Sequence, residues 1–534
     1  MMGKYIRKAL CPFIFSIIFS GFVALSTSAL PLITKNLINR ATLGLNAGTV
    51  LRYGLQYIGA VALILLSEYG NKLMNIKYRE NVMLNLKKDL LSKILGYSYA
   101  DFHKHDTDHY LSLFTEEANL LFSDYFDVFL DLTKTSIYIV VYSAIMLFLN
   151  PLMAAVIIAL SLLGLFIPKL SGGKLSRKRA EQAEANKEYI AKLKDITLGI
   201  DVAQGSARKI LSDMFISAAR KKEKAVSGYA KFNSFVQIFG GLSLYLVNIG
   251  AFITGMVLVH LSRLDLGGFV ALLGFVELAA LPFRDLVYEM IAIKSSKKIK
   301  EKFLSVFAYR PSEKTELADI REGITLNNVS YKIGDFRLQS INLEFRKGRK
   351  YAIVGESGSG KSLLVKLLLG FLKPDDGAVL YDEIDIDGLD VSKLVAYISQ
   401  DIFLYNATGM DNVTLFDFKR SKNLDDNIDK LKARELLERN LGELGMNISG
   451  GEKNKIAILR ALNLDSKVMV LDESLANLDE KNKKEITDFL IGLDGVTVIL
   501  ITHDYEEDYL NRFDEVIRLK KGRVEEVRIS KKER

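Results

Sequence analysis

The chain has 534 residues, too many for one hydrophobic core, and that length implies about three or four domain-sized units. A single cysteine, Cys11, excludes a disulfide-built fold. The formal net charge of +8 would suit a nucleic-acid binder, yet the basic residues crowd the ends of long apolar runs, which points to a lipid bilayer and to no nucleic-acid partner.

Lys4, Arg7 and Lys8 precede an apolar run from Cys11 to Leu37. Its core, Cys11 to Ile33, is too long for a cleaved leader, so it reads as a first membrane helix. Crossing the hydrocarbon layer takes about 20 mostly apolar residues. Further stretches that qualify are Val50 to Tyr69, Thr133 to Leu149, Leu152 to Ile167, Phe235 to Val259 and Leu266 to Ile291, giving six spans. Asn150-Pro151 separates the third from the fourth so closely that the two form a helical hairpin. Lysines and arginines gather in 72–93, 169–194, 208–224 and 294–302, all on one side, and the opposite loops hold only Arg40 and Arg263. The expectation is a multi-pass protein of the cell membrane, with both termini cytoplasmic.

Two basic segments, Asn71 to Lys134 and Lys169 to Lys231, are rich in helix formers and free of Pro, the first with Gly96 as its one glycine. They read as helical arms below the membrane, the first reaching roughly 40 Å from Asn71 to Tyr97 at 1.5 Å per residue. Gly96 to His109 and Leu198 to Gly205 break the arms where each would turn and touch another domain. In the first span, Ser16, Ser20, Ser26, Thr27, Ser28 and Thr34 form a polar set better explained by helix packing than by a substrate path. Glu277, near the middle of the sixth span, either lines a translocation path and favours a cationic substrate, or serves a structural pair such as one with Arg284. The expected domains are a transmembrane domain with its arms at 1–302, a linker containing Pro311 at 303–323, and a soluble nucleotide-binding domain at 324–534.

In the soluble part, Gly355-Glu356-Ser357-Gly358-Ser359-Gly360-Lys361-Ser362 meets the spacing G-x-x-x-x-G-K-[ST] between a predicted strand, Lys350 to Val354, and a predicted helix start. Its glycines let backbone N–H groups converge on an anion at a helix N-terminus. Lys361 would neutralise the outer phosphates of a nucleoside triphosphate, and Ser362 would offer its hydroxyl to magnesium. Farther on, the apolar strand Val468 to Leu471 ends in Asp472 and Glu473. Beside a phosphate loop, the first acid suits Mg2+ and the second suits the general base for the attacking water.

Between these motifs, Ser449-Gly450-Gly451-Glu452 resembles the Leu-Ser-Gly-Gly-Gln signature of the ATP-binding cassette (ABC) family, with Ile456 to Leu462 resembling the helix after it. In order, Gln400 resembles the Q-loop glutamine, Gly442 to Gly445 the X-loop of the exporter branch, Ala476 to Asp479 the D-loop, and His503 the switch histidine. The resemblance covers nearly the whole chain. It implies an N-terminal all-α six-helix transmembrane domain of the exporter type joined to a C-terminal α/β P-loop NTPase domain.

It further implies an ATP-driven exporter half, whose Ser449, Gly450 and Gly451 complete the ATP site of a second half-transporter in a homodimer or heterodimer. Glu473, His503 and Gln400 would be catalytic, and Ser362, Gln400 and Asp472 would hold Mg2+. The cargo class stays open among lipid, peptide and small drug-like molecules. The alternative is a non-pumping sensor or ATP-gated channel. Two positions depart from the family pattern. Glu452 replaces the signature Gln, and Ile333 stands where an adenine-stacking aromatic belongs, leaving Tyr331 or Phe336 to substitute.

Overall fold

The structure, a computed structural model, describes residues 2–42, 44, 46–163, 166–203, 205, 207–310, 314–317, 319–417, 419–476, 478–504 and 506–530. It divides into two compact units, Met1–Tyr97 with His105–Tyr309, and Ser98–Lys104 with Arg310–Arg534. Pro311 in the predicted linker lies outside the described residues.

The first unit is built from long helices: α1 (Leu10–Ala41), α2 (Ala47–Leu95), α3 (Val128–Leu149), α4 (Pro151–Leu163), α5 (Phe166–Leu198), α6 (Ala207–His260) and α7 (Leu266–Ser295). Asn46 caps α2 by accepting a hydrogen bond from the Thr49 amide. With no Gly or Pro between Asn71 and Leu95, nothing stops the helix until Gly96. At 49 residues α2 reaches roughly 74 Å, far beyond a hydrocarbon layer of about 30 Å. The apolar stretch and the basic arm are therefore one continuous helix. α6 does the same over 54 residues. The first arm breaks at Gly96 and Tyr97, and the second at a single 3-10 turn, Ile200–Val202; Gln204 in that break lies outside the described residues.

By length and composition, four helical stretches are able to cross a membrane: Leu10–Ala41, Ala47–Leu95, Thr107–Leu149 and Leu266–Lys294. The fourth and fifth predicted spans contribute only the shorter apolar helices Pro151–Leu162 and Leu244–His260. The count of six is thus not met among the described residues. Both stretches run through residues outside the description: Gly164 and Leu165 in the fourth, and in the fifth Gln237, Phe239, Gly240, Gly241 and Ser243, whose side chains are not described. The core joins α1, α3, α4, α6 and α7 through Ala24, Met146, Ile157, Ala251 and Phe275.

The second unit is an α/β fold. An antiparallel hairpin, β1 (Gly323–Ile333) and β2 (Phe336–Arg346), leads into β3 (Lys350–Val354) and α8 (Lys361–Leu368). Then follow β4 (Asp376–Tyr381), β5 (Val395–Ile398), α9 (Gly450–Asn463), β6 (Val468–Asp472), α10 (Glu480–Ile491), β7 (Thr497–Thr502), β8 (Glu515–Lys520) and β9 (Arg523–Ile529). The main sheet runs β9-β8-β3-β7-β6-β5, all parallel except the β8-β9 pair. Its central strands are buried on both faces. Tyr351, Ile353, Val468, Val470, Ile499 and Ile501 enter one core; Ala352, Val354, Met469, Leu471, Val498 and Leu500 enter the other. This arrangement brings the C-terminal ends of β3, β6 and β7 side by side, where Gly355, Glu473 and His503 begin their loops.

Candidate active site

The loop after β3 is shaped by its glycines. Gly358 and Gly360 have φ of +78° and +102°, which an L side chain rarely adopts. A Cβ on Gly360 would also lie 2.7 Å from Leu338 Cδ2. Lys361, the first residue of α8, donates from Nζ to the carbonyls of Gly355 at 2.8 Å and Glu356 at 3.2 Å. Burial pushes its ammonium below the usual lysine range, against the opposing pull of Glu473 and Asp472.

The register of the parallel sheet then places the acids. Ser362 Oγ donates to Asp472 Oδ1 at 3.2 Å, and the Tyr397 hydroxyl donates to Asp472 Oδ2, also at 3.2 Å. Burial pushes the Asp472 carboxyl up, and these two hydrogen bonds oppose it. Glu473 has left-handed backbone, φ +52°, a conformation costing about 1 to 3 kcal/mol for a non-glycine residue and concentrated at functional sites. Its Oε1 lies 2.6 Å from His503 Nε2 and 3.7 Å from Lys361 Nζ. Gly355, Glu356, Ser357, Gly358, Ser359, Gly360, Lys361, Ser362, Asp472, Glu473 and His503 thus form one cluster. Gln400 sits exposed two residues beyond β5.

The donor set suits a nucleotide with a hard cation. Glycine-directed amides and Lys361 present positive charge at a helix N-terminus, and the Ser359 hydroxyl is buried in the same loop without a hydrogen-bond partner among the described residues. Ser362 and Asp472 offer oxygen only, the donor type Mg2+ takes. For adenine the arrangement differs between the candidates. Tyr331 is half-buried, pairs with Leu338 across the hairpin and packs on the core. Phe336 lies against the loop, its Cζ 3.0 Å from where a Gly360 Cβ would be. Ile333 is exposed at the hairpin end.

Ser449, Gly450 and Gly451 open α9 away from this cluster. Gly450 lies beside Leu478 and Gly451 beside Asn482, and no hydrogen bond among the described residues joins them to the phosphate loop. Ser449 is the N-cap and Glu452 closes a reciprocal capping box, accepting from the Ser449 amide at 2.8 Å and hydroxyl at 2.9 Å. Arg439 also donates to Glu452 Oε1 at 3.1 Å. In the D-loop segment Asn477 lies outside the described residues, and Asp479 caps α10 through the Asn482 amide at 2.9 Å. Sequence reasoning missed Arg439 and the Tyr397 hydrogen bond. The Ser-x-x-Glu spacing was available as a cap signal; nothing local announces Tyr397.

A family model described as ABC transporter matches residues 338–476, and one described as ABC transporter transmembrane region matches residues 13–281. The ATP-dependent lipid A-core flippase of Ralstonia nicotianae is 23% identical across 98% of this chain and 92% of its own length. The mesentericin-Y105 transport/processing ATP-binding protein of Leuconostoc mesenteroides is 28% identical, aligning with 55% of this chain and 43% of its own. A solved bacterial Atm1-family ABC exporter with ATP bound shares the fold, with a TM-score of 0.81 at 20% identity over 98% of this chain and 95% of that one. The transmembrane-region match alone takes in half of the chain, so this chain belongs to the ABC transporter family, as an ATP-binding membrane ATPase coupled to transport.

Proposed function

We propose that the chain is one half of a dimeric exporter that carries an amphipathic lipid, peptide or drug-like molecule outward across a cell membrane. Six membrane helices would form the path, with both termini and the nucleotide-binding unit, 324–534, in the cytoplasm. The observation that carries the pumping reading is the contact of Glu473 Oε1 with His503 Nε2 at 2.6 Å, with Lys361 Nζ 3.7 Å from the same oxygen. A sensor or ATP-gated channel needs only nucleotide binding, whereas this set is equipped for turnover.

In this reading the loop amides and Lys361 hold the phosphates, with Phe336 or Tyr331 against the base. Glu473 accepts the proton of the attacking water, and His503 orients Glu473 and the terminal phosphate. Magnesium, held by Ser362, Asp472 and Gln400, would neutralise charge on the phosphates. Ser449, Gly450 and Gly451 serve the nucleotide of the second half. A lipid-like cargo is favoured because the lipid A-core flippase aligns end to end, membrane helices included. Glu277, exposed on the apolar α7 and not paired with Arg284, whose guanidinium takes Asp285 at 2.9 Å, suits a cationic group on that cargo.

The test is ATP-driven accumulation in proteoliposomes holding this chain alone, scanning lipids, peptides and cationic drugs. Wild type should accumulate a cargo, and Glu473→Gln should lose at least about 100-fold of both ATPase and transport while still binding ATP. ATPase with no vectorial movement of any of them would reject a self-sufficient pump.

A further inference from the structure

The first arm ends in a short helix, Tyr99–Phe102, capped by Ser98, and this tip, Ser98–Lys104, is part of the second compact unit. The Tyr99 ring stacks on Phe371 with centroids 4.0 Å apart and planes 7° from parallel. Phe371 in turn meets Tyr397 edge to face at 5.8 Å. The Tyr397 hydroxyl donates to Asp472 Oδ2 at 3.2 Å. A continuous line of side chains therefore runs from the arm tip to the acid that faces Ser362.

Each link is fixed by its element. Tyr397 lies on β5 beside Val470 of β6, and parallel strands put residues two apart on one face, so Tyr397 reaches along to Asp472. Phe371 follows α8, the helix that starts at Lys361. Its amide returns to the Lys366 carbonyl at 2.9 Å, and Gly370 before it has φ +65°, so the ring is anchored to the end of the phosphate-loop helix. Only Asp472 lacks stiffness of its own. The terminal torsion of an aspartate is broad, and its rotamer does not set which way the two oxygens face. With Ser362 on Oδ1 and Tyr397 on Oδ2, the carboxylate plane is set by two hydroxyls from two different elements, helix α8 and strand β5.

We propose that Tyr397 is a positioning residue for Asp472, and that the arm tip acts on the magnesium site through the Tyr99–Phe371–Tyr397 contact. When Tyr99 stays on Phe371, Tyr397 is held where its hydroxyl orients Asp472; when the tip withdraws, Tyr397 is released and the carboxylate turns. A partner that fixes the orientation of a metal ligand typically accounts for 10- to 100-fold in metal affinity. This rests on the reading of Asp472 as a holder of Mg2+, and needs neither the exported cargo nor turnover.

The experiment uses the full chain in lipid nanodiscs with Mn2+ as a paramagnetic probe, its affinity for the ATP-loaded protein followed by electron paramagnetic resonance. Asp472→Asn serves as reference. Tyr397→Phe, which keeps the ring and removes the hydroxyl, should weaken Mn2+ about tenfold and leave metal-free ATP affinity within about twofold. Tyr99→Leu, remote from the metal and half-buried, should shift Mn2+ affinity in the same direction. The double variant should match Tyr397→Phe alone, because both act along one line. Unchanged Mn2+ affinity in Tyr397→Phe beside a weakened Asp472→Asn would overturn the proposal alone. Unchanged affinity in Asp472→Asn would overturn the proposal together with the magnesium reading. Additive effects of Tyr99→Leu and Tyr397→Phe would overturn the link to the arm.

Discussion

Glu452 puts a carboxylate where the family signature has a neutral Gln, and its surroundings show how the charge is used. It sits at the third position of α9, where the helix dipole favours an anion, and is tied to the Ser449 amide, the Ser449 hydroxyl and Arg439. Partial burial raises its pKa, but these partners outweigh burial and hold the carboxyl below the usual glutamate range. Glu452→Ala should therefore cost about 1 kcal/mol, read as a lower thermal midpoint, whereas Glu452→Gln should keep most of the cap. The sign of the pH effect follows from a depressed native pKa. The ion's stabilisation is complete above the unfolded value of about 4.5 and is lost as pH falls below it, so the gap between wild type and Glu452→Gln should hold from pH 8 to 5 and close in acid. At this scale the cluster was legible wherever chemistry is written into consecutive residues, the Gly355 to Ser362 loop and the Asp472-Glu473 pair; the Ser-x-x-Glu cap is equally local and went unread. Arg439, Phe371 and Tyr397 were not legible, because their partners lie 13, 26 and 75 residues away along the chain and meet only after the sheet forms.

Helices α1 and α2 show what the polar residues of the first span do. The Ser16 hydroxyl lies 2.7 Å from the amide oxygens of both Asn71 and Asn75, and Asn71 Nδ2 donates to Ser20 Oγ at 3.0 Å. Thr27 and Tyr142 join α1 to α3 at 2.9 Å. Ser20 and Ser28 return their hydroxyls to carbonyls four residues back in α1. The set is a seam between helices. Ser16→Ala should lower the thermal midpoint of the membrane unit by an amount corresponding to about 0.6 to 1.7 kcal/mol, with ATP affinity unchanged. A larger loss in transport than in stability would instead place Ser16 on the cargo path. The seam was partly readable, since six hydroxyls in one span demand partners. The partners Asn71 and Asn75 were hidden by their place at the membrane end of an arm, where polar residues are ordinary. The arms themselves were legible from the absence of Pro and, in the first, from a single Gly at its break, whereas the span count is tested over only part of the fourth and fifth stretches, which run through residues outside the description.

At the scale of the whole molecule, the decisive fact is that one chain carries both a phosphate loop and a signature that it does not bring together. Ser449 at the start of α9 spends its side chain on Glu452, and Gly450 and Gly451 pack beside Leu478 and Asn482. If the signature served its own loop, two chains with different defects could not help each other. In a head-to-tail pair of copies each site takes its loop from one chain and its signature from the other, which makes a sharp prediction. Lys361→Ala should abolish ATPase by removing the loop cation, and Gly451→Asp should abolish it by placing a carboxylate at the helix end that faces phosphate. Co-assembled, the two chains form a mixed dimer in which both defects fall on one site and the other site is intact. With random pairing, half of the dimers are mixed and each keeps one of two sites, so the mixture should regain about a quarter of wild-type ATPase per chain if the sites fire independently. Recovery to about a quarter in the mixture, rising to about half once the differently tagged chains are purified through both tags and only mixed dimers remain, would fix the signature as acting across the dimer. No recovery would mean either that the two sites must fire together or that each signature acts within its own chain. A count of ATP occluded on the mixed dimer with Glu473→Gln in both chains, which needs no turnover, then separates these, since one occluded ATP per mixed dimer is compatible only with an intact shared site.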